Sequence, residues 1–151
     1  MFRGPTKVTL DSKGRLAIPS RYRDLIAQRC EGHLVVTVDK SSCLLMYPQP
    51  DWEALEIKLN NLPSFHDAAS ELRRNMVGGA GDVDMDAAGR VLLSREHREF
   101  AGLDKQVMLV GLGYKFEIWD HDSWQQRQGA WLKSKDQDFS DLPPELKSLS
   151  L

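Results

Sequence analysis

This chain has few covalent braces and no long apolar run. Its 151 residues include only two cysteines, Cys30 and Cys43. That rules out a disulfide framework and makes a reduced cytosolic setting the default, although two thiols leave room for one bridge. No run of about 18 apolar residues occurs, which excludes an ordinary membrane-spanning helix. The N-terminus has no apolar signal region, so an unexported protein with no membrane partner is expected. Net charge is also nearly absent, at −2, and this alone argues against a nucleic-acid partner. What is present is ordinary globular material, 41% hydrophobic and 28% charged, enough for a real core.

The distribution of charge argues differently from its total. Residues 1–29 carry seven cations (Arg3, Lys7, Lys13, Arg15, Arg21, Arg23, Arg29) against Asp11 and Asp24, a local +5 that leaves −7 on the rest. Screening erases distant charge within about 8–10 Å, so a basic face on an acidic body suits a short-range phosphate contact. A solvated basic edge is the plainer alternative.

The organising stretch is Val8-Thr-Leu-Asp-Ser-Lys-Gly-Arg-Leu-Ala-Ile-Pro19. Two apolar runs flank a tight turn in which Gly14 supplies positive φ, Asp11 bonds back to turn amides, and Arg15 offers a rigid fork of donors. The pattern returns as Val83-Asp-Met-Asp86-Ala-Ala-Gly89-Arg90-Val-Leu-Leu93, 75 residues later for both Asp and Arg. Farther on the offset is 72, matching Val35 with Val107, Val38 with Val110, Tyr47 with Trp119 and Trp52 with Trp124. Two tandem hairpin–helix–hairpin–helix units follow, each expected to need the other to close its core. The positive charge is not duplicated. Residues 76–104 hold Arg90, Arg95 and Arg98 against six acids, Pro19 becomes Ser94, and Arg21 becomes Glu96. A nucleic-acid face would therefore come mainly from the first copy.

Taken in order, Gly4-Pro5 reads as a turn and residues 6–19 as a hairpin. Ser20 reads as an N-cap for a helix over 21–29, with Tyr22, Leu25 and Ile26 on one face, ended by Gly32. Residues 34–38 and 43–47 form a second hairpin around the 39–42 loop. Asp51 caps a helix running to about Leu59, with Trp52, Leu55 and Leu59 on its stripe. A further helix over 65–77 places Phe65, Ala69, Leu72 and Met76 at helical spacing, and Gly78-Gly-Ala-Gly81 reads as a flexible junction. The tail from Lys133 is polar with a short amphipathic end (Leu142, Leu146, Leu149), compatible with docking or with disorder.

Other chemistry is thin. Cys30-x-x-His33 with Cys43 lacks a fourth zinc ligand at sensible spacing. The Gly-rich stretches 78–81 and 111–113 lack the Gly-Lys-Ser/Thr of a phosphate loop. His66, His97 and His121 stand apart from any nucleophile motif. Asp136, Asp138 and Asp141 read as a solvated acidic run, and Trp52 with Trp124 reads as core. No catalytic residue and no metal site is assigned.

Phe2-Arg3-Gly4, Leu10-Asp11-x-Lys13-Gly14-Arg15-Leu16-x-Ile18-Pro19-x-x-Tyr22-Arg23, Leu44-Leu-Met-Tyr-Pro48 and Asp86-x-x-Gly89-Arg90 together closely resemble the MraZ family. These are bacterial regulators encoded at the head of the division and cell-wall gene cluster. The likeness covers nearly the whole chain apart from the last fifteen or so residues. It implies an α+β fold of two tandem SpoVT-AbrB-like swapped-hairpin β-barrel modules with flanking helices, clasped as an intrachain pseudo-dimer. The modules would span 5–50 and 80–123, with connecting helices over 51–79 and a C-terminal helix and tail over 124–151.

The resemblance also implies a cytoplasmic, nucleoid-associated, ring-like homo-oligomer, free of cofactors, that binds short G-rich direct repeats in its own promoter. Arg15 would be the foremost DNA reader, with Lys13, Arg3, Arg21 and Arg23 nearby. Asp11, Gly14, Asp86, Gly89 and Arg90 would form the hairpin motif. Arg forks suit guanine edges, and Lys13 and Arg3 suit phosphates. Arg15 could instead serve as an ion pair pinning the turn to Asp11, and the two roles can coexist; for Arg90 with Asp86 the structural role is favoured. Three alternatives stay open. The chain could be an oligomeric structural or interaction protein, an AbrB-like regulator of a different operon, or a hydrolase or transferase.

Overall fold

In the computed structural model, which describes residues 1–134 and 143–149, the first strand of each copy finds its partner in the other copy. Strand β1 (Phe2–Thr9) pairs with β7 (Gln106–Gly113), in register from Phe2 opposite Gly113 to Thr9 opposite Gln106. Strand β5 (Gly81–Asp84) pairs with β3 (His33–Val38). Each copy's local hairpin, β3 with β4 (Leu44–Pro48) and β7 with β8 (Phe116–Asp120), meets the other where β4 pairs with β8. The result is one antiparallel six-stranded sheet ordered β1-β7-β8-β4-β3-β5. Strands β2 (Arg15–Ala17) and β6 (Arg90–Leu92) form a separate two-stranded ribbon, again across the copies.

Two expectations are corrected here. The 6–19 segment is not a laddered hairpin: β1 and β2 share only the bridge Leu10–Leu16. An eight-residue strand needs a partner of equal length for its backbone groups, and three-residue β2 cannot supply it. Nor does the sheet close into a barrel among the described residues, since β1 and β5 remain its edges. The ribbon covers one face by packing, with Leu16, Ile18, Val91 and Leu93 sunk into the core cluster that holds Val36, Leu109, Phe116 and Ile118. Each such side chain contributes about 1.5–3 kcal/mol by burial.

The helices fill the remaining surfaces. Helix α1 (Ser20–Cys30) begins after Pro19, with no side-chain cap, and buries Tyr22, Ile26 and Cys30. That i, i+4, i+8 stripe leaves Leu25 exposed, contrary to its expected place on the apolar face. Tyr22 packs edge-on against Phe2 and Phe116, with centroids 5.5 and 5.2 Å away. Glu31 at φ 54° and Gly32 at φ 84° end the helix.

Helix α2 (Gln49–Asn60) starts after Pro48 rather than at Asp51, whose carboxylate instead takes Arg29 at 2.8 Å. It covers the opposite sheet face, where Val35, Leu45, Tyr47, Trp52, Leu59 and Trp119 cluster. Helix α3 (Asp67–Met76) is shorter than expected and leaves Phe65 outside it, fully in solvent. Arg73 of α3 donates to the Leu62 carbonyl at 3.1 Å, capping the chain that leaves α2. Gly4 and Pro5 lie inside β1 rather than in a turn, and an edge strand tolerates the missing donor. Gly81 begins β5 instead of extending a linker.

The second copy adds α4 (Arg95–Phe100) and α5 (His121–Lys133), capped by Ser94 and Asp120 respectively, and α6 (Pro144–Lys147) follows. Leu146 and Leu149 are exposed, while Asp136, Asp138, Asp141 and Leu142 lie outside the described residues. Among the described residues no helix is long and apolar enough to cross a membrane.

Candidate nucleic-acid interface

Each turn is tied by one carboxylate. Asp11 Oδ1 accepts the backbone N–H of Lys13 at 2.9 Å and of Arg15 at 2.8 Å, and its Oδ2 accepts Arg15 Nε at 2.7 Å. Gly14, at φ 86°, donates its N–H to the Asp11 carbonyl at 3.0 Å. Asp86 does the same in the second copy, accepting Ala88 at 3.0 Å, the Arg90 N–H at 2.8 Å and Arg90 Nε at 3.0 Å, with Gly89 at φ 77°. The Arg15 amide, then the Arg15 side chain, hold the Asp11 carboxyl at about 2, and the Arg90 amide lowers Asp86 likewise.

The ion-pair alternative for Arg15 is thus realised, and it leaves the arginine partly free. Only Nε is engaged, and the terminal guanidinium nitrogens of Arg15 and Arg90 have no hydrogen bond among the described residues. In the ribbon Leu16 faces Val91, both wholly buried. Alternation then turns Arg15, Ala17, Arg90 and Leu92 to the outward face. Arg15 lies opposite Leu92 and Arg90 opposite Ala17, so the two arginines are diagonal neighbours, about 7–8 Å apart at their Cα atoms by ordinary sheet spacing.

The copies lock at the same place. Ile18 donates to the Gly89 carbonyl at 2.8 Å and Leu93 to the Gly14 carbonyl at 3.0 Å. Arg23 lies over Gly89, and Arg98 over Gly14. Arg23 also donates from Nε to the Ile18 carbonyl at 2.8 Å.

Of the residues picked out from sequence, Lys13, Arg15, Arg23 and Arg90 converge on this ribbon. Lys13 is exposed beside a cleft of about 710 Å³ that Arg95 and Arg98 also line. Arg21 and Arg3 belong to a second cluster at the β1–α1 contact. There Arg21 donates to Thr6 and to the Tyr22 hydroxyl, its guanidinium lies 4.5 Å over the Tyr22 ring, and Tyr22 donates to the Arg3 carbonyl. Sequence reasoning missed Arg98, although the 75-residue offset leads from Arg23 straight to it. Cys30 donates to the Ile26 carbonyl, His33 pairs with Asp84, and Cys43 lies beside Ser41. The conceivable zinc ligands are turned to separate partners, and burial pushes Cys43 up to about 12.

A family model for the MraZ protein matches residues 1–75 and again residues 76–140. The chain belongs to the MraZ family. The boundary between the two matched regions falls at the last residue of α3, and their starts are separated by the same 75 residues that relate the two Asp–Arg turns. The chain is 51% identical to "Transcriptional regulator MraZ" of Nitrosospira multiformis and to the protein of the same name from Nitrosomonas europaea, over all of both chains. It is 48% identical over full length to the relative of that name from Coxiella burnetii.

Proposed function

We propose that this chain is a DNA-binding transcriptional regulator whose β2–β6 ribbon is the reading element. The observation that carries the proposal is the pair of outward arginines, Arg15 and Arg90, each held through Nε with its terminal nitrogens free. A two-stranded ribbon fits the major groove, and a held guanidinium pairs with guanine O6 and N7 at about 1–3 kcal/mol of discrimination. Lys13 and Arg23 flank the ribbon as phosphate partners, with Arg3 and Arg21 as a second basic contact. The relatives' name supports DNA as the target; in this reading it is promoter DNA with short G-rich repeats. In the same reading the chain represses its own promoter at the head of a division and cell-wall cluster, in the cytoplasm at the nucleoid.

In this reading the modules are 5–50 and 80–123, joined by helices over 51–79 and followed by 124–151. The exchange of β1 and β5 between copies is a swapped-hairpin pseudo-dimer within one chain. One ribbon makes few contacts, so a ring of copies on successive repeats gains through effective concentration. Exposed Leu72, Phe100, Trp131 and Leu132 are available for such assembly.

The test is a titration of wild type and Arg15→Ala on the DNA upstream of the protein's own gene, with a scrambled duplex, at two salt concentrations. Fold and oligomer size are checked in parallel. A loss of roughly 5- to 150-fold in specific affinity is expected. Equal binding by a folded, assembled mutant makes Arg15 a turn brace only. No promoter preference in wild type leaves the structural and interaction alternative.

A further inference from the structure

The approximate two-fold relation between the copies breaks at one pair of side chains. Arg23 and Arg98 are equivalent, 75 residues apart, and each covers the turn glycine of the other copy. Arg23 satisfies its Nε on the Ile18 carbonyl. Arg98 Nε is buried against Gly14 with no hydrogen-bond partner among the described residues.

The carboxylates around Arg98 do not answer for it. Asp11 is taken by Arg15 and Glu99 by Arg95, and Arg98 forms no ion pair among the described residues, with Asp104 included. Its terminal nitrogens also lack hydrogen bonds, yet only Nε is enclosed, so they keep contact with solvent. Three surface clefts meet at this side chain, lined by Lys13, Arg95 and Lys105 and also by Asp82 and Glu96, neither of which pairs with Arg98. The enclosed Nε stays unpaired, while the terminal nitrogens, open to solvent and free of internal acceptors, are placed to take an outside anion in charge-assisted hydrogen bonds.

We infer that Arg98 binds a DNA backbone phosphate beside the first turn. The inference rests on the DNA reading above. Each reading turn then draws on both copies: the first supplies Arg15, and the second supplies the phosphate clamp. The net acidity of residues 76–104 hides this role in the sequence, because a single cation delivered across the ribbon counts locally and not by segment average.

The test compares full-length wild type, Arg98→Met, Arg98→Gln and Arg98→Lys on the promoter duplex and a scrambled duplex over a salt series. Thermal melting and oligomer size are followed for each. Arg74→Met, which removes a cation of α3 that is paired with Glu71, controls for bulk charge. The expected result is that Met and Gln weaken both duplexes roughly tenfold and flatten the salt slope by about one charge per bound protomer, with the promoter-to-scrambled ratio kept. Lys restores the slope, and Arg74→Met leaves it alone.

A merely structural role would lower melting temperature without moving the slope. If a folded neutral variant keeps the wild-type slope and affinity, the inference is overturned, and so it is if Arg74→Met flattens the slope equally. If neither neutral variant folds, loss of the slope in folded Arg98→Lys overturns it and retention supports it. Wild type with no salt-dependent DNA binding would sink the DNA reading itself, a distinct result.

Discussion

The Ile18 N–H donates to the Gly89 carbonyl at 2.8 Å, binding the strand exit of the first copy to the turn of the second. Its counterpart from Leu93 to Gly14 closes the reciprocal link. Neither Asp–Arg turn is therefore a free-standing loop, and damage to one is felt by the other.

Gly14→Ala and Gly89→Ala should each destabilise the protein by about 1–3 kcal/mol, since both glycines have positive φ. A Cβ at Gly14 would also lie 2.8 Å from Arg98, and one at Gly89 2.2 Å from Arg23. Gly129→Ala, in open space within α5, should instead stabilise by up to about 1 kcal/mol. Urea denaturation of the three variants decides; equal midpoints for all three would contradict the cross-copy contacts.

Asp11 sits at about 2, below its ordinary 3.8, because the Arg15 amide and side chain favour the carboxylate. A lowered folded value means stability that is present above about pH 4 and lost as pH falls toward 2. The melting temperature should drop across that window, and Asp11→Asn should start lower and lose part of the acid step. An unchanged acid profile in the variant would show that the turn does not depend on the pair.

Arg90 shares every bond of Arg15 and the same outward ribbon face. Arg90→Ala should therefore weaken promoter binding within a few-fold of Arg15→Ala, although sequence alone favours a structural role. Wild-type affinity in a folded Arg90→Ala protein would restore that structural assignment.

His33 and Asp84 are opposite one another where edge strand β5 joins β3, and the Asp84 hydrogen bond raises the His33 pKa. The contribution of this pair is full below about 6.5 and is lost as pH rises through the raised value. Amide exchange in β5, corrected for its intrinsic pH dependence, should be faster at pH 8.5 than at pH 6. In His33→Asn that difference should disappear; its persistence would rule out the pair as the cause.

Much of the candidate site was legible because turn chemistry is local. Asp11, Gly14 and Arg15, and their equivalents 75 residues on, specify a turn through bonds reaching at most four residues. The repeat was legible for the same reason, as were the stripe of Tyr22 and Ile26 and the local β3–β4 hairpin. Misread boundaries arose where a tertiary partner outweighed a local signal: Asp51 went to Arg29 and not to a cap, and Gly4-Pro5 was drawn into β1 by its pairing with Val110 and Gly111.

The sequence by itself thus determined two copies of one turn, each with an arginine held by an aspartate, because those bonds need only neighbours along the chain. Tertiary structure alone decided that β1 pairs with β7, that Arg15 and Arg90 share one face, and that Arg98 covers Gly14. Those relations join residues some 75 or more positions apart. They depend on which long strand can satisfy an unpaired backbone and which core can bury Leu16 against Val91, and no local pattern encodes either choice.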